Sequence, residues 1–159
     1  MRNIVLCRVD DRLIHGEVVT AWRPFCNADH IAIIDDFVAN DKFNRRVLTL
    51  LAPQGVEIEI YNTEDGAKSI NGEFNEKERV IVLTKTPITF EKLIDLGVDI
   101  KDVNLGGMGI RGDRKPFINN VSASPDEVDS IRRMKNEKGV NVYYQLVPEQ
   151  KVIDISKLL

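Results

Sequence analysis

Short apolar runs and stretches with helical spacing alternate along this chain. Ile4 to Arg8, Ile31 to Asp35, Val56 to Tyr61, Arg79 to Leu83 and Val103 to Leu105 read as strands. The runs Ile-Ala-Ile-Ile and Val-Ile-Val-Leu within them fit strands buried on both sides. The segments between predict helices. One runs from His15 or Gly16 to Trp22 and stops near Pro24. The next starts at Asn40 or Asp41, either of which can cap it, and ends before Pro53. It carries Phe43, Val47, Leu50 and Leu51 at i, i+4, i+7 and i+8, one apolar face. Thr63 to Ile70 is a shorter helix interrupted by Gly66. A helix from about Phe90 to Leu96 has Phe90, Leu93 and Ile94 on one side. Phe117 to Val121 reads as a short strand. Ser124, Pro125 and Glu127 form a capping box with a preset φ angle, opening a helix whose buried face is Val128, Ile131 and Met134. Lys138-Gly139 ends it, Asn141 to Val147 is a last strand, and residues 148–159 pack on the surface as a short extra element.

Strands alternating with helices imply βαβ units. The expected fold is α/β: an open, mainly parallel central sheet with helices on both faces, in one domain over residues 1–159. A chain of 159 residues can bury roughly 70 % of its unfolded surface and needs no staples. The net charge of −3 argues against a nucleic-acid partner. Cys7 and Cys26 form no CxxC pair, so neither a disulfide framework nor a zinc site is supported. The amino terminus turns charged too soon for a signal peptide, and no apolar run approaches the ~20 residues that span a bilayer. The expected location is cytoplasmic.

In open α/β sheets, ligands bind beyond the carboxyl ends of the strands. The segment after the first strand is the most unusual of these: Arg8-Val9-Asp10-Asp11-Arg12-Leu13-Ile14-His15-Gly16-Glu17. A neutral imidazole is a nucleophile near pH 7. Arg12 offers a planar fork of donors to phosphate oxygens, and Arg8 could add a second positive charge. Amides from Gly16 onward open a helix, where an anion is favoured. The same charges could equally form a solvated loop around a structural histidine.

The string from residue 8 to residue 22, Arg-Val-Asp-Asp-Arg-Leu-Ile-His-Gly-Glu-Val-Val-Thr-Ala-Trp, resembles the signature of B components of the mannose/fructose/sorbose phosphotransferase family. Ile34 to Asp41, Ala52 to Val56, Asn104 to Met108 and the segment from Gly139 to Pro148 resemble later family segments, so the likeness runs through nearly the whole chain. It implies a phosphocarrier. His15 would accept a phosphoryl group from the phosphohistidine of an A component. It would then pass the group to a sugar imported through membrane C and D components, with the chain peripherally associated with that permease. His15 and Arg12 are carried over from the family pattern. Roles for Arg8, Asp10, Asp11 and Gly16 rest on proximity. No metal and no cofactor is implied. A regulatory module of the same fold, or an unrelated enzyme on a flavodoxin-like sheet, are the competing readings.

Glu17 stands where the family more often has glutamine. It would either repel phosphate or orient a donor from Arg12. Residues 109–120, with Arg111, Arg114 and Lys115, form a solvated loop or a partner-facing one. Phe37 and Val38 are core packing or an apolar rim for the A component. Lys85 neutralises phosphate or is merely exposed. Gly106-Gly107 admits a ligand or makes a turn. His30 lacks clustered partners and is expected to be structural, as are both cysteines.

Overall fold

The computed structural model describes residues 1–159. β1 (Ile4–Asp10) leads through the charged loop into a π-helical turn, Val18–Trp22, continued by α1 (Arg23–Cys26). There follow β2 (His30–Ile34), α2 (Asp36–Ala39), α3 (Lys42–Leu50), β3 (Glu57–Tyr61), α4 (Thr63–Ile70), β4 (Val80–Thr84), α5 (Pro87–Asp95) and β5 (Asp102–Gly107). The chain ends with β6 (Lys115–Ile118), β7 (Val121–Ala123), α6 (Pro125–Asn136), β8 (Asn141–Tyr144) and β9 (Ile153–Asp154).

The main sheet has the order β3-β2-β4-β1-β5-β8-β9. Every pairing in it is parallel except β8 with β9. The chain steps outward from β1 through β2 to β3, then returns through β4 to β5 and β8. Right-handed connections therefore set α1–α3 on one face and α4–α6 on the other. The core divides accordingly. Phe90, Leu93, Ile131 and Met134 join a cluster of 22 buried residues on one face. Val18, Trp22, Val38 and Leu48 join one of 15 on the other. The helix after β1 leaves toward one face and the helices after its neighbours β4 and β5 toward the opposite one, which opens a crevice at the carboxyl end of β1. No helix is long and apolar enough to cross a membrane.

Four sequence expectations differ in detail. The first helix runs through Pro24 to Cys26, because its turn widens: the Arg23 amide donates to the Val18 carbonyl, five residues back. A proline one residue later then removes no needed donor. Phe117 to Val121 is the bend of a hairpin, β6 paired with β7, and Asn119 there has φ +43°. The last strand stops at Tyr144, and the tail adds β9 antiparallel to it, with Ile155 fully buried.

The fourth difference concerns α3. An apolar helix face ordinarily packs on the core, yet Phe43 is 73 % and Leu50 78 % exposed, with Val47 and Leu51 also outward. α3 lies against the edge strand β3, and Leu48 is its buried residue, in the same cluster as Val38 and Val56.

Candidate active site

The loop between β1 and the first helix is staked at both ends. The Asp11 amide donates to the Gly107 carbonyl at 3.0 Å, and the Leu13 amide to the Asp10 carbonyl at 2.9 Å. Leu13 adopts φ +58°, a left-handed conformation uncommon for a branched apolar side chain. Such strain amounts to about 1–3 kcal/mol and persists where surrounding packing over-determines it. Here Leu13 and Ile14 are both buried, and they turn the following residue, His15, to the rim.

Asp10 organises the site. Its carboxylate is wholly buried, and its Oδ2 lies 2.8 Å from His15 Nε2. Its Oδ1 accepts from the Arg12 amide at 3.2 Å and from Arg12 Nε at 3.3 Å. Burial alone would raise the Asp10 pKa, but the hydrogen bond and charge of His15, with Arg8 and the Arg12 amide, outweigh it and hold the carboxyl below its ordinary value. His15 Nδ1 has no protein hydrogen-bond partner and is not among the buried unpaired atoms.

The two arginines do different things. Arg12 is half exposed, with its NH2 3.8 Å from Glu17 Oε2. Glu17 thus faces the Arg12 fork, which favours the orienting role over simple repulsion. Arg8 is fully buried, against the expectation that it adds charge toward a phosphate. Its guanidinium donates to Asn104 Oδ1 at 2.5 Å and to the carbonyls of Gln145 and Leu146, both at 3.0 Å. It reaches Asp10 Oδ2 at 3.4 Å and lies 5.0 Å from the Trp22 ring centroid. Burial pulls its pKa down, with Asp10 opposing that shift. Arg8 is the floor under Asp10 because inward-pointing positions of a central strand have no route to solvent.

Gly106 and Gly107 are explained by the same floor. A Cβ at Gly106 would come within 2.1 Å of Arg8 Cζ, and one at Gly107 within 3.2 Å of both Asp10 carboxylate oxygens. They make room for the protein's own buried charges. Gly16 is exposed, and the amides of His15, Gly16 and Glu17 are engaged by no protein acceptor.

Arg114, within the basic loop, is an internal strut. It donates to Asp11 Oδ2 at 2.8 Å, to Glu127 Oε1 at 2.8 Å and to Glu127 Oε2 at 2.9 Å. Asp11 also accepts from the Gly109 amide at 2.8 Å, so the second loop is latched to the first. The Glu127 that closes the capping box of α6 also accepts from Thr86 Oγ1 at 2.7 Å. Glu127 was visible in the sequence as a cap. Its second duty, and the Arg114 strut, join positions too far apart for spacing to reveal. Arg111 stays exposed, 3.5 Å from Asp11.

Between the loops opens a polar cleft of about 720 Å³, bordered by Arg12, Glu17, Arg111, Asn119, Asn120 and Gln150 among others. Lys85 offers its carbonyl to Arg114. Phe37 is exposed, whereas Val38 is buried in the core. His30 sits at the opposite, amino edge of the sheet, 2.8 Å from Glu59. Burial pushes the Cys7 thiol up to about 12 and raises that of Cys26, so both are poor nucleophiles. No group of three or more His, Cys, Asp or Glu residues is arranged to hold a metal ion.

Residues 4–159 match the model of the "PTS system sorbose subfamily IIB component" family. The N-acetylgalactosamine-specific phosphotransferase enzyme IIB component 1 of Escherichia coli strain K12 is 34% identical over 149 residues, covering 92% of this chain and 92% of that one. The mannose-specific EIIAB component of the same strain is 34% identical over 98% of this chain, which spans 49% of that protein. The crystal structure of the IIB domain of the sorbose permease from Klebsiella pneumoniae superposes with a TM-score of 0.89 at 31% identity, over 98% of this chain and 95% of that one. A sheet whose switch point holds a histidine on a buried carboxylate, and a family match running from β1 to the last residue, converge on one assignment. The chain belongs to the sorbose subfamily of phosphotransferase-system IIB components, which transfer phosphoryl groups to sugars.

Proposed function

We propose that the chain, acting as one domain over residues 1–159, carries the phosphoryl group on Nδ1 of His15. The observation that supports this most directly is the 2.8 Å contact of His15 Nε2 with buried Asp10 beside an unpartnered Nδ1. With Asp10 ionised, Nε2–H donates to Oδ2, which fixes the tautomer and leaves the Nδ1 lone pair outward. A phosphohistidine of the A component places its phosphorus in line with Nδ1. The new N–P bond forms as the donor's N–P bond breaks. The ring keeps its Nε2 proton and so gains positive charge, which the Asp10 carboxylate stabilises, much as a buried aspartate serves the imidazolium of a hydrolase triad.

Arg12 and the unengaged amides from His15 to Glu17 hold the equatorial oxygens. Such preorganised donors act where charge is dispersed in the transition state. In the second half-reaction a sugar hydroxyl gives up its proton as its oxygen takes the phosphorus, the Nδ1–P bond breaks, and the neutral ring returns. IIB components work with an A component and with membrane C and D components. The mannose relative is named as an EIIAB component, A and B in one chain. For this chain the reading is docking of an A component over the His15 rim, with exposed Phe37 as an apolar contact and Arg12 as a charged one. The chain then associates peripherally with the membrane permease.

The test is transfer of labelled phosphate from phosphoenolpyruvate through the upstream carriers and the A component. His15→Ala should take up none, and Asp10→Asn should label slowly. Full labelling of His15→Ala would overturn the assignment. Adding the membrane components and sugar should discharge the label. A phosphoprotein that never discharges would be the mark of a regulatory module.

A further inference from the structure

We infer that α3 is a membrane-surface contact: a ridge that lies on the headgroup region of an anionic bilayer. Phe43, Val47, Leu50 and Leu51 recur at i, i+4, i+7 and i+8 and are all exposed, while Leu48 faces the core. The apolar stripe of an amphipathic helix therefore points away from its own protein. Lys42 and Arg46 are exposed on the same helix, and neither forms an ion pair or side-chain hydrogen bond. Arg45 donates to the carbonyls of Ala39 and Ile60 and keeps its charge beside them.

From Lys42 to Leu51 there is no acidic residue. The acids just before are occupied: Asp41 caps the helix, and Asp36 accepts from the Thr63 amide and hydroxyl. On a chain of net charge −3 this is a local basic field edging an apolar stripe. That is the pattern of helices lying in the interface plane, with apolar residues below and cations at headgroup level.

The shape favours lipid over a protein groove, because a convex ridge needs no complementary mould in a fluid interface. A second copy packed antiparallel about a two-fold axis would set the Lys42 and Arg46 edge against itself. α3 must also run back from the carboxyl to the amino edge of the sheet to reach β3. With this ridge on the bilayer, the His15 edge faces sideways along the surface, where a permease stands. Exposed Phe25, edge-on to Trp22 at the end of α1, extends the same face of the sheet.

The contact adds to the phosphocarrier reading and is read out separately from it. The intact chain is floated with vesicles of phosphatidylglycerol and phosphatidylcholine, and with phosphatidylcholine alone. Wild type should bind the anionic vesicles, more weakly as salt rises. Arg46→Ser should weaken binding about fivefold, the effect of one basic residue at an anionic surface. A Phe43→Ser, Leu50→Ser double variant should lose it. All three proteins should take phosphate from the A component at the same rate, which shows that the variants are folded and keeps this test distinct from that of His15. Absence of vesicle binding by the wild type, or equal binding by the double variant, would overturn the inference. Recruitment only to membranes containing the permease, or self-association abolished by the double variant, would assign the ridge to a protein instead.

Discussion

The floor and the rim of the candidate site share one carboxylate and differ in almost everything else. Below Asp10, Arg8 is sealed under Trp22, with Asn104 and two carbonyls as acceptors. Above it, Arg12 and His15 are each held by one side of the same carboxylate and otherwise reach outward. The two arginines lie four residues apart with identical chemistry. Their burial divides them into a part that holds the fold and a part available to an incoming anion. Geometry around a site, more than residue type, assigns its roles.

Removing the floor should do the most damage. Arg8→Ala removes the buried cation beneath Asp10 and strips Asn104 and two carbonyls of their donor, and losing one partner of a buried pair destabilises by about 3–5 kcal/mol. Chemical denaturation should show that loss. An unchanged midpoint would mean that Arg8 does not support the site from below. Gly106→Ala tests the same floor from beneath. The added methyl collides with the Arg8 guanidinium, and overpacking of this kind destabilises by about 1–3 kcal/mol, again read by denaturation.

Arg12→Ala should reverse the pattern. Its exposure predicts a stability change within about 0.5 kcal/mol, while phosphoryl transfer slows roughly a hundredfold, as for loss of one preorganised donor. Rapid-quench transfer from the A component measures it. If stability falls and transfer does not, floor and rim have been confused.

A smaller effect comes from acid. Glu59, whose burial is outweighed by hydrogen bonds from Arg2, Tyr61 and His30, is held down to about 2. A depressed carboxyl adds stability above its unfolded pKa, so that contribution is full above pH ~4.5 and fades as pH falls toward 2. Glu59→Gln should flatten this limb of the stability curve and leave transfer untouched, since Glu59 lies at the far edge of the sheet.

The parallel sheet and its helices were legible because buried strands are apolar throughout and the α6 capping box is local. The segment after the first strand stood out for its charges, the family resemblance singled out His15 within it, and the central place of that strand came only from the structure. What the sequence concealed were contacts between distant segments. Gly106 makes room for Arg8, and Arg114 braces Asp11 against Glu127. The face of α3 was concealed differently. Periodicity locates an apolar stripe without saying what covers it. On α5 and α6 such stripes meet the sheet, but on α3 the stripe meets solvent.

The most direct measurement is the nitrogen–phosphorus coupling in the ¹⁵N-labelled phosphoprotein, formed by the A component and examined by NMR. The predicted result is phosphorus bonded to Nδ1 of His15, with Nε2 still protonated toward Asp10. Phosphorus on Nε2, or on any other residue, would contradict it.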